Sequence, residues 1–312
     1  MRILLLAFGL LLTPLFHAAA QVTVDVTLDE LEFLRDESLT VKVRIANRSG
    51  QPLKFGQTAD WLVFNLQTQD GHTVERIGEV PVTGEFTIES SQTATKSVDL
   101  MPWFSFPQPG RYSVVATVKI PQWSDDFVST PKTFHIIRGS RVWEQEFGVP
   151  RKEGAPEVRQ YSLVRSSGMK MSRLYLRVSD VEDTKVFRVV SLGQVVSFGK
   201  PEARVDRFSK LHVLLQNGPR TFSYAVFDPN GDWVIRQTFE YTESRPVLRV
   251  NEAGNVLVGG GQRRFAPTDF PSSAIVSPGE GTNNSATDLN TDTNKARLSP
   301  TAPGTDGRIT NR

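Results

Sequence analysis

The chain has 312 residues, 36 basic against 34 acidic side chains for a formal net charge of +2, and no cysteine. Near-balanced charge argues against a nucleic-acid binder that relies on a dense basic field, and the missing cysteine excludes disulfides and a lipid-attachment thiol. Such a chain must be stabilised by hydrophobic cores, and at about 100–150 residues per domain two domains are expected.

Met1-Arg2 is followed by the apolar run ILLLAFGLLLTPLF and then by HAAA. One positive charge, an apolar run and small residues at Ala18 and Ala20 form the layout of a secretory signal peptide, residues 1–20, with cleavage before Gln21. The run falls short of the roughly 20 residues a spanning helix needs. The expectation is an exported protein, secreted or periplasmic, with no transmembrane segment after cleavage.

From Gln21 to Arg264 the dominant period is two. VTVDVTL alternates Val22, Val24 and Val26 with Thr23, Asp25 and Thr27. LTVKVRIANRSG sets Leu39, Val41, Val43 and Ile45 on one face and Thr40, Lys42 and Arg44 on the other. YSVVATVKI, LYLRVSD, KLHVLLQ and TFSYAVFD read the same way. This alternation marks strands with one buried face. Turn signals punctuate them: Asn47–Gly50, Asp70-Gly71, Pro107–Gly110, Asn217-Gly218 and Asn230-Gly231. The fold class predicted is all-β, with two immunoglobulin-like antiparallel β-sandwiches in tandem at 21–138 and 139–264. Helix is confined to short turns near Ala59-Asp60 or Val142–Glu146.

Within the first unit, WLVFNLQTQDGHTVER reads as a hairpin closed by a two-residue Asp70-Gly71 turn. PQPGRYSVVATVKIP is a Pro-Gly corner feeding a strand that Tyr112 leads. Together with LTVKVRIANRSGQPLKF, over about 100 residues, this order of features resembles secreted bacterial immunoglobulin-like domains. It is also similar to the β-sandwich family of intracellular proteinase inhibitors. The first resemblance implies a sandwich. The second implies an exposed loop offered to a protease, for which 122–126 and 78–84 are the candidates. SYAVFDPNGDWVIRQT, residues 223–238, echoes the hairpin at 61–77.

Asp228-Pro-Asn230-Gly231-Asp232 carries oxygen ligands at alternating positions, as a calcium loop does. An EF-hand loop needs Gly at its sixth position and Glu at its twelfth. Here Gly stands fourth and Phe239 twelfth, so a hairpin turn is expected. Gly259–Gly261 leads into Gln262-Arg263-Arg264 rather than into the helix that a phosphate cradle needs, and is read as the end of the last strand. His72, His135 and His212 share no zinc-ligand spacing. No nucleophile elbow, metalloprotease helix motif or P-loop is present. No catalytic, metal or cofactor residues are assigned. From Phe265 to Arg312 the chain is rich in Pro, Ser, Thr, Asn, Asp and Gly, and a disordered tail is expected.

The aromatics Trp103, Phe104 and Phe106 in MPWFSFPQPG, with Trp123 in IPQWSDDF, are the candidate contacts for a ligand or partner. Exposed rings there would form platforms for a glycan. Buried, they would cap the sandwich. The function expected is a non-enzymatic binding or structural module of the cell surface or periplasm, recognising a protein partner through sandwich-end loops or strand edges. The alternatives are a proteinase inhibitor-like protein and a carbohydrate-binding module.

Overall fold

The structure is a computed structural model that describes residues 22–121, 123, 125–150, 156–167, 171–196 and 199–271. The signal-peptide segment 1–20, the stretch beyond Pro271, and Gln122 and Ser124 of the 122–126 loop lie outside the described residues. Among the described residues the chain is all-β, with twenty-one strands and one 3-10 turn.

The first ten strands are β1 (Val22–Leu28), β2 (Glu32–Leu34), β3 (Thr40–Asn47), β4 (Leu53–Phe55), β5 (Leu62–Thr68), β6 (Phe86–Ile88), β7 (Thr93–Asp99), β8 (Gly110–Lys119), β9 (Asp126–Val128) and β10 (Lys132–Ile137). One sheet has the order β1-β3-β7. The facing sheet has the order β2-β10-β8-β5, with β9 on β8. The first strand is broken at Asp29–Leu31, so that β2 crosses to the second sheet and runs parallel to β10. That split first strand over a three-strand and a five-strand sheet is immunoglobulin-like connectivity. The predicted alternation is the cause of the packing: Val22, Val24, Val26, Val41, Val43 and Ile45 all enter one core with Leu66, Val114 and Phe134. Tyr112 is buried, and its hydroxyl donates to the Gln108 carbonyl at 2.6 Å. This is the tyrosine corner of such sandwiches, and it explains why Tyr follows Pro-Gly in the sequence.

The second half contains β11 (Gly139–Val149), β12 (Glu157–Ser167), β13 (Ser172–Asp180), β14 (Val186–Gln194), β15 (Glu202–Val205), β16 (Leu211–Gln216), β17 (Thr221–Phe227), β18 (Trp233–Glu240), β19 (Val247–Val250), β20 (Val256–Gly259) and β21 (Gln262–Arg264). Two antiparallel meanders, β11-β12-β13-β14 and β15-β16-β17-β18-β21, face each other over Tyr161, Leu163, Leu176, Val213 and Phe227. This is an antiparallel sandwich, but its strands follow chain order and lack the immunoglobulin crossover. The β19–β20 hairpin lies on the outer face of the second sheet, where Leu248 and Val256 meet Phe222, Tyr224 and Val226. Three layers therefore bury both faces of β16 and β17, so LHVLLQ and TFSYAVF are nearly continuous apolar runs.

Four expectations change in detail. The Asp70-Gly71 turn is a three-residue loop, with Gly71 at φ 82° donating to Thr68 and Thr68 donating to His72. Asp228–Asp232 and Asn251–Asn255 repeat this geometry, with Gly231 at φ 83° and Gly254 at φ 77°. All three are three-residue loops closed by a left-handed glycine, so the echo between 61–77 and 223–238 is shared turn chemistry. The Asp228 carboxylate accepts the Asn230 and Asp232 amides and shapes the turn. Second, helix appears at neither expected place: Ala59-Asp60 is a turn without helix, Val142–Glu146 lies inside β11, and among the described residues the one 3-10 turn is Met101–Trp103. Asp99 sets that turn by accepting the amides of Leu39 and Met101.

Third, Gly259–Gly261 does not release the chain. It turns β20 into β21, which pairs with β18. Fourth, strand contacts continue past Arg264: Arg236 and Phe270 exchange backbone hydrogen bonds at 2.8 and 2.9 Å. Buried Asp269 anchors this return by accepting from Thr238 and pairing with Arg263 at 2.8 Å. Burial by itself would raise the Asp269 pKa. The hydrogen bonds from Ala266, Arg263 and Thr238 outweigh it and hold the group below its ordinary range.

Candidate functional site

The four candidate aromatics do not form one surface. Phe104 and Phe106 are buried in the first core, and Phe106 meets Tyr112 and Phe134 edge-on. In an extended segment residues two apart share a side, and here that side faces inward. Phe104 and Phe106 are therefore corrected from contacts to core. Trp103 is half-buried at the end of the 3-10 turn, over Gly78. Trp123 is half-buried against Phe127 at 5.5 Å. Nor is 78–84 a protruding loop. Val80 and Val82 are buried, and the Val82 carbonyl accepts the Trp61 indole at 2.8 Å.

A buried polar cluster lies in the second half. His212 Nδ1 is 2.6 Å from the Tyr224 hydroxyl, and Nε2 is 3.2 Å from Asp206. Burial lowers the His212 pKa, with Asp206 opposing, and burial lifts Tyr224 to about 12. Asp206 also caps its own turn by accepting the Phe208 and Lys210 amides. The cluster locks that turn to the sheet. Among the described residues no group of three or more His, Asp or Glu side chains is placed to hold a metal ion. No described helix is long and apolar enough to cross a membrane.

The junction between the sandwiches gathers the most charge. It is built on the outer face of the β11–β14 sheet. Inward Leu174, Leu176 and Val178 alternate with outward Arg173, Tyr175 and Arg177 along β13. Leu34, at the end of β2, packs against Val164, Tyr175 and Val189. Gly139 allows that approach, since a Cβ there would sit 2.4 Å from Val164 Cγ1 and 3.1 Å from Leu34 Cδ1. Ion pairs surround the contact: Arg173 to Glu30 at 2.7 Å, Arg177 to Asp36 at 3.8 Å, and Arg141 to Asp183 at 3.2 Å. Arg177 also pairs with Asp183. Glu37 closes the turn after β2 by accepting the Leu34 amide at 2.7 Å. Burial pushes its pKa up to about 7, against the opposing pull of that amide and Arg173. The buried Tyr175 hydroxyl has no partner at hydrogen-bonding geometry among the described residues, and burial lifts its pKa to about 12.

Two clefts flank this contact. The first, of about 800 Å³, has an apolar floor that includes Leu34, Phe106, Ile136, Val164 and Val186. Its rim carries Arg35, Arg138, Arg141 and Arg177 against Asp36 and Asp183. The second, of about 670 Å³, is acidic, with Asp29, Glu30, Asp36, Glu37 and Asp99 against Arg188. None of these arginines stands in a motif that the sequence makes conspicuous. The available signal was the Arg-x-x-x-Arg spacing of RLYLR, which puts Arg173 and Arg177 on one strand face.

The first cleft opens onto β11, which contributes Gly139 and Arg141 to its wall. Among the described residues β11 pairs only with β12. Residues 139–146 are exposed apart from half-buried Trp143. At the far end Ser209 donates to the Gly148 carbonyl at 2.7 Å.

No family model and no curated protein matches the sequence. Among solved structures, a family 123 glycoside hydrolase from Clostridium perfringens aligns at 10% identity and a TM-score of 0.24, over 38% of this chain and 27% of that one. The chain thus spans about a quarter of the hydrolase. Spo0M, a sporulation control protein from Bacillus subtilis, aligns at 11% identity and a TM-score of 0.29, over 56% of this chain and 91% of that one. At these scores neither likeness carries an argument about function.

Proposed function

We propose that the protein is an exported, non-enzymatic binding module that takes a protein partner as an added strand along β11. The observation that carries this reading is the edge itself. β11 is eleven residues long, is paired on one side among the described residues and exposes most of its side chains. Its length is about twice that of a typical strand, and an unpaired edge of this kind is a template for a further strand. The register shift between Arg141 and Trp143 and the charges at Arg141, Glu144 and Glu146 discourage indiscriminate sheet extension. Export rests on the N-terminal layout of charge, apolar run and small residues.

The reading is tested with a photo-crosslinking amino acid placed at Gln145 on β11, or at Thr95 on the edge strand β7 as control, in growing cells. Discrete crosslinked species at Gln145 and none at Thr95 are expected. Equal products at both positions, or none at Gln145, would sink the reading.

A further inference from the structure

We propose that the cleft between Leu34, Phe106 and Val164 receives an acidic, extended peptide segment of the protein partner, read by Arg35 and Arg138. The proposal rests on the reading of β11 as a partner-binding edge and adds the partner's chemistry.

Charge complementarity carries it. Four arginines on the rim face two aspartates, and Glu144 beside the cleft pairs with Arg141 at 2.8 Å, leaving an excess of one positive charge. The pairing is uneven. Asp183 is held by both Arg141 and Arg177, and Asp36 lies nearer Arg177 than Arg35. Arg35 reaches Asp36 only at 4.0 Å with its side chain 67% exposed. Arg138 is exposed, and no carboxylate lies within ion-pair distance of it among the described residues. These two guanidinium groups can accept further carboxylates, and the planar fork suits bidentate pairing.

Shape selects an extended peptide. The cleft volume falls within the roughly 300–1,000 Å³ typical of ligand sites. Its floor is apolar and its rim charged, and an extended chain turns alternate side chains to opposite sides. Apolar residues of such a segment face Leu34, Val164 and Val186 while alternate acids face the arginines. The cleft wall is the start of β11, so one continuous strand can lie along the edge and enter the cleft at Arg141. The second cleft is dominated by carboxylates and would repel the same segment.

The test uses the full chain and fluorescein-labelled decapeptides that alternate Glu with Val or Leu, with Lys-for-Glu peptides as controls, read by fluorescence anisotropy. Saturable binding of the Glu peptides is expected, weakening with added salt. Affinity falls about tenfold in R35E/R138E, the order expected for losing two exposed ion pairs and adding repulsion. The neutral pair R35Q/R138Q, which adds no repulsion, gives an intermediate loss at unchanged melting temperature. Equal binding by the Lys peptides, or by wild type and R35E/R138E, overturns the proposal. So does heparin that binds in an Arg35- and Arg138-dependent way while the Glu peptides stay inert, which would indicate an anionic glycan. If no peptide binds but crosslinks at Gln145 persist, the cleft assignment falls and the edge reading stands. If the crosslinks vanish too, both fall.

Discussion

Replacing Glu37 by Gln removes one proton equilibrium from the junction while keeping an oxygen for the Leu34 amide. In the folded chain this carboxyl has its pKa raised from 4.5 to about 7, chiefly by burial. Leu34 N–H and Arg173 pull it down, and Glu30 pushes it up. Beside burial, the Glu37 charge raises the pKa of the Tyr175 hydroxyl, with Arg173 opposing. Because the folded pKa is the higher one, the native state holds more protons than the unfolded chain between pH 4.5 and about 7. The contribution of this one group to stability is therefore fully present below pH 4.5, falls as pH rises through that window and levels off above it. At about 1.4 kcal/mol per pH unit the ionised carboxylate costs the native state about 3 kcal/mol at pH 8. Glu37→Gln avoids this cost but also gives up the attraction to Arg173. A gain of about 1–3 kcal/mol over wild type at pH 8, shrinking toward zero at pH 4, is the expected outcome. Urea unfolding followed by tryptophan fluorescence at both pH values measures it. A difference between the two proteins that does not change with pH, or a destabilised variant at pH 8, would refute the burial argument.

Two further variants test the architecture. Tyr112→Phe deletes the 2.6 Å bond to the Gln108 carbonyl and leaves the ring in the core. It is expected to cost about 1 kcal/mol in urea unfolding, and an unchanged midpoint would remove the corner from the account of stability. Gly139→Ala drives a methyl into Val164 and Leu34 at the junction. A loss of about 1–3 kcal/mol is expected, together with a larger radius of gyration by small-angle scattering as the sandwiches part. A variant identical to wild type in both measurements would show that the close approach is not needed.

Much of the fold was legible because its cause is local. Strand alternation at Val22–Val26 and Leu39–Ile45 is set by the two-residue period of extended backbone, and these residues are the ones found in the core. Turns at Asp70-Gly71 and Asn230-Gly231 were legible because only certain residues accept a positive φ. Their loop length was not, since it depends on how the flanking strands pair. The choice between platform and cap for the aromatic segment stayed open for a related reason. Trp103 to Phe106 has a strand-like spacing, and whether that side faces solvent or Phe134 depends on residues about thirty positions away.

The sequence by itself determined that the stretch from Gln21 to Arg264 is β in character, with cores rather than disulfides. Period, turn chemistry and composition act over a few residues and need no knowledge of the partner strand. Only the tertiary structure decided that the second sandwich is a three-layered meander, that Phe270 returns to pair with Arg236, and that Arg35, Arg138, Arg141 and Arg177 share one cleft. Those facts depend on which strand lies beside which, and on Leu34 meeting Val164 across 130 residues of sequence. Contacts of that range are set by how whole sheets pack, and no short stretch of the chain records them.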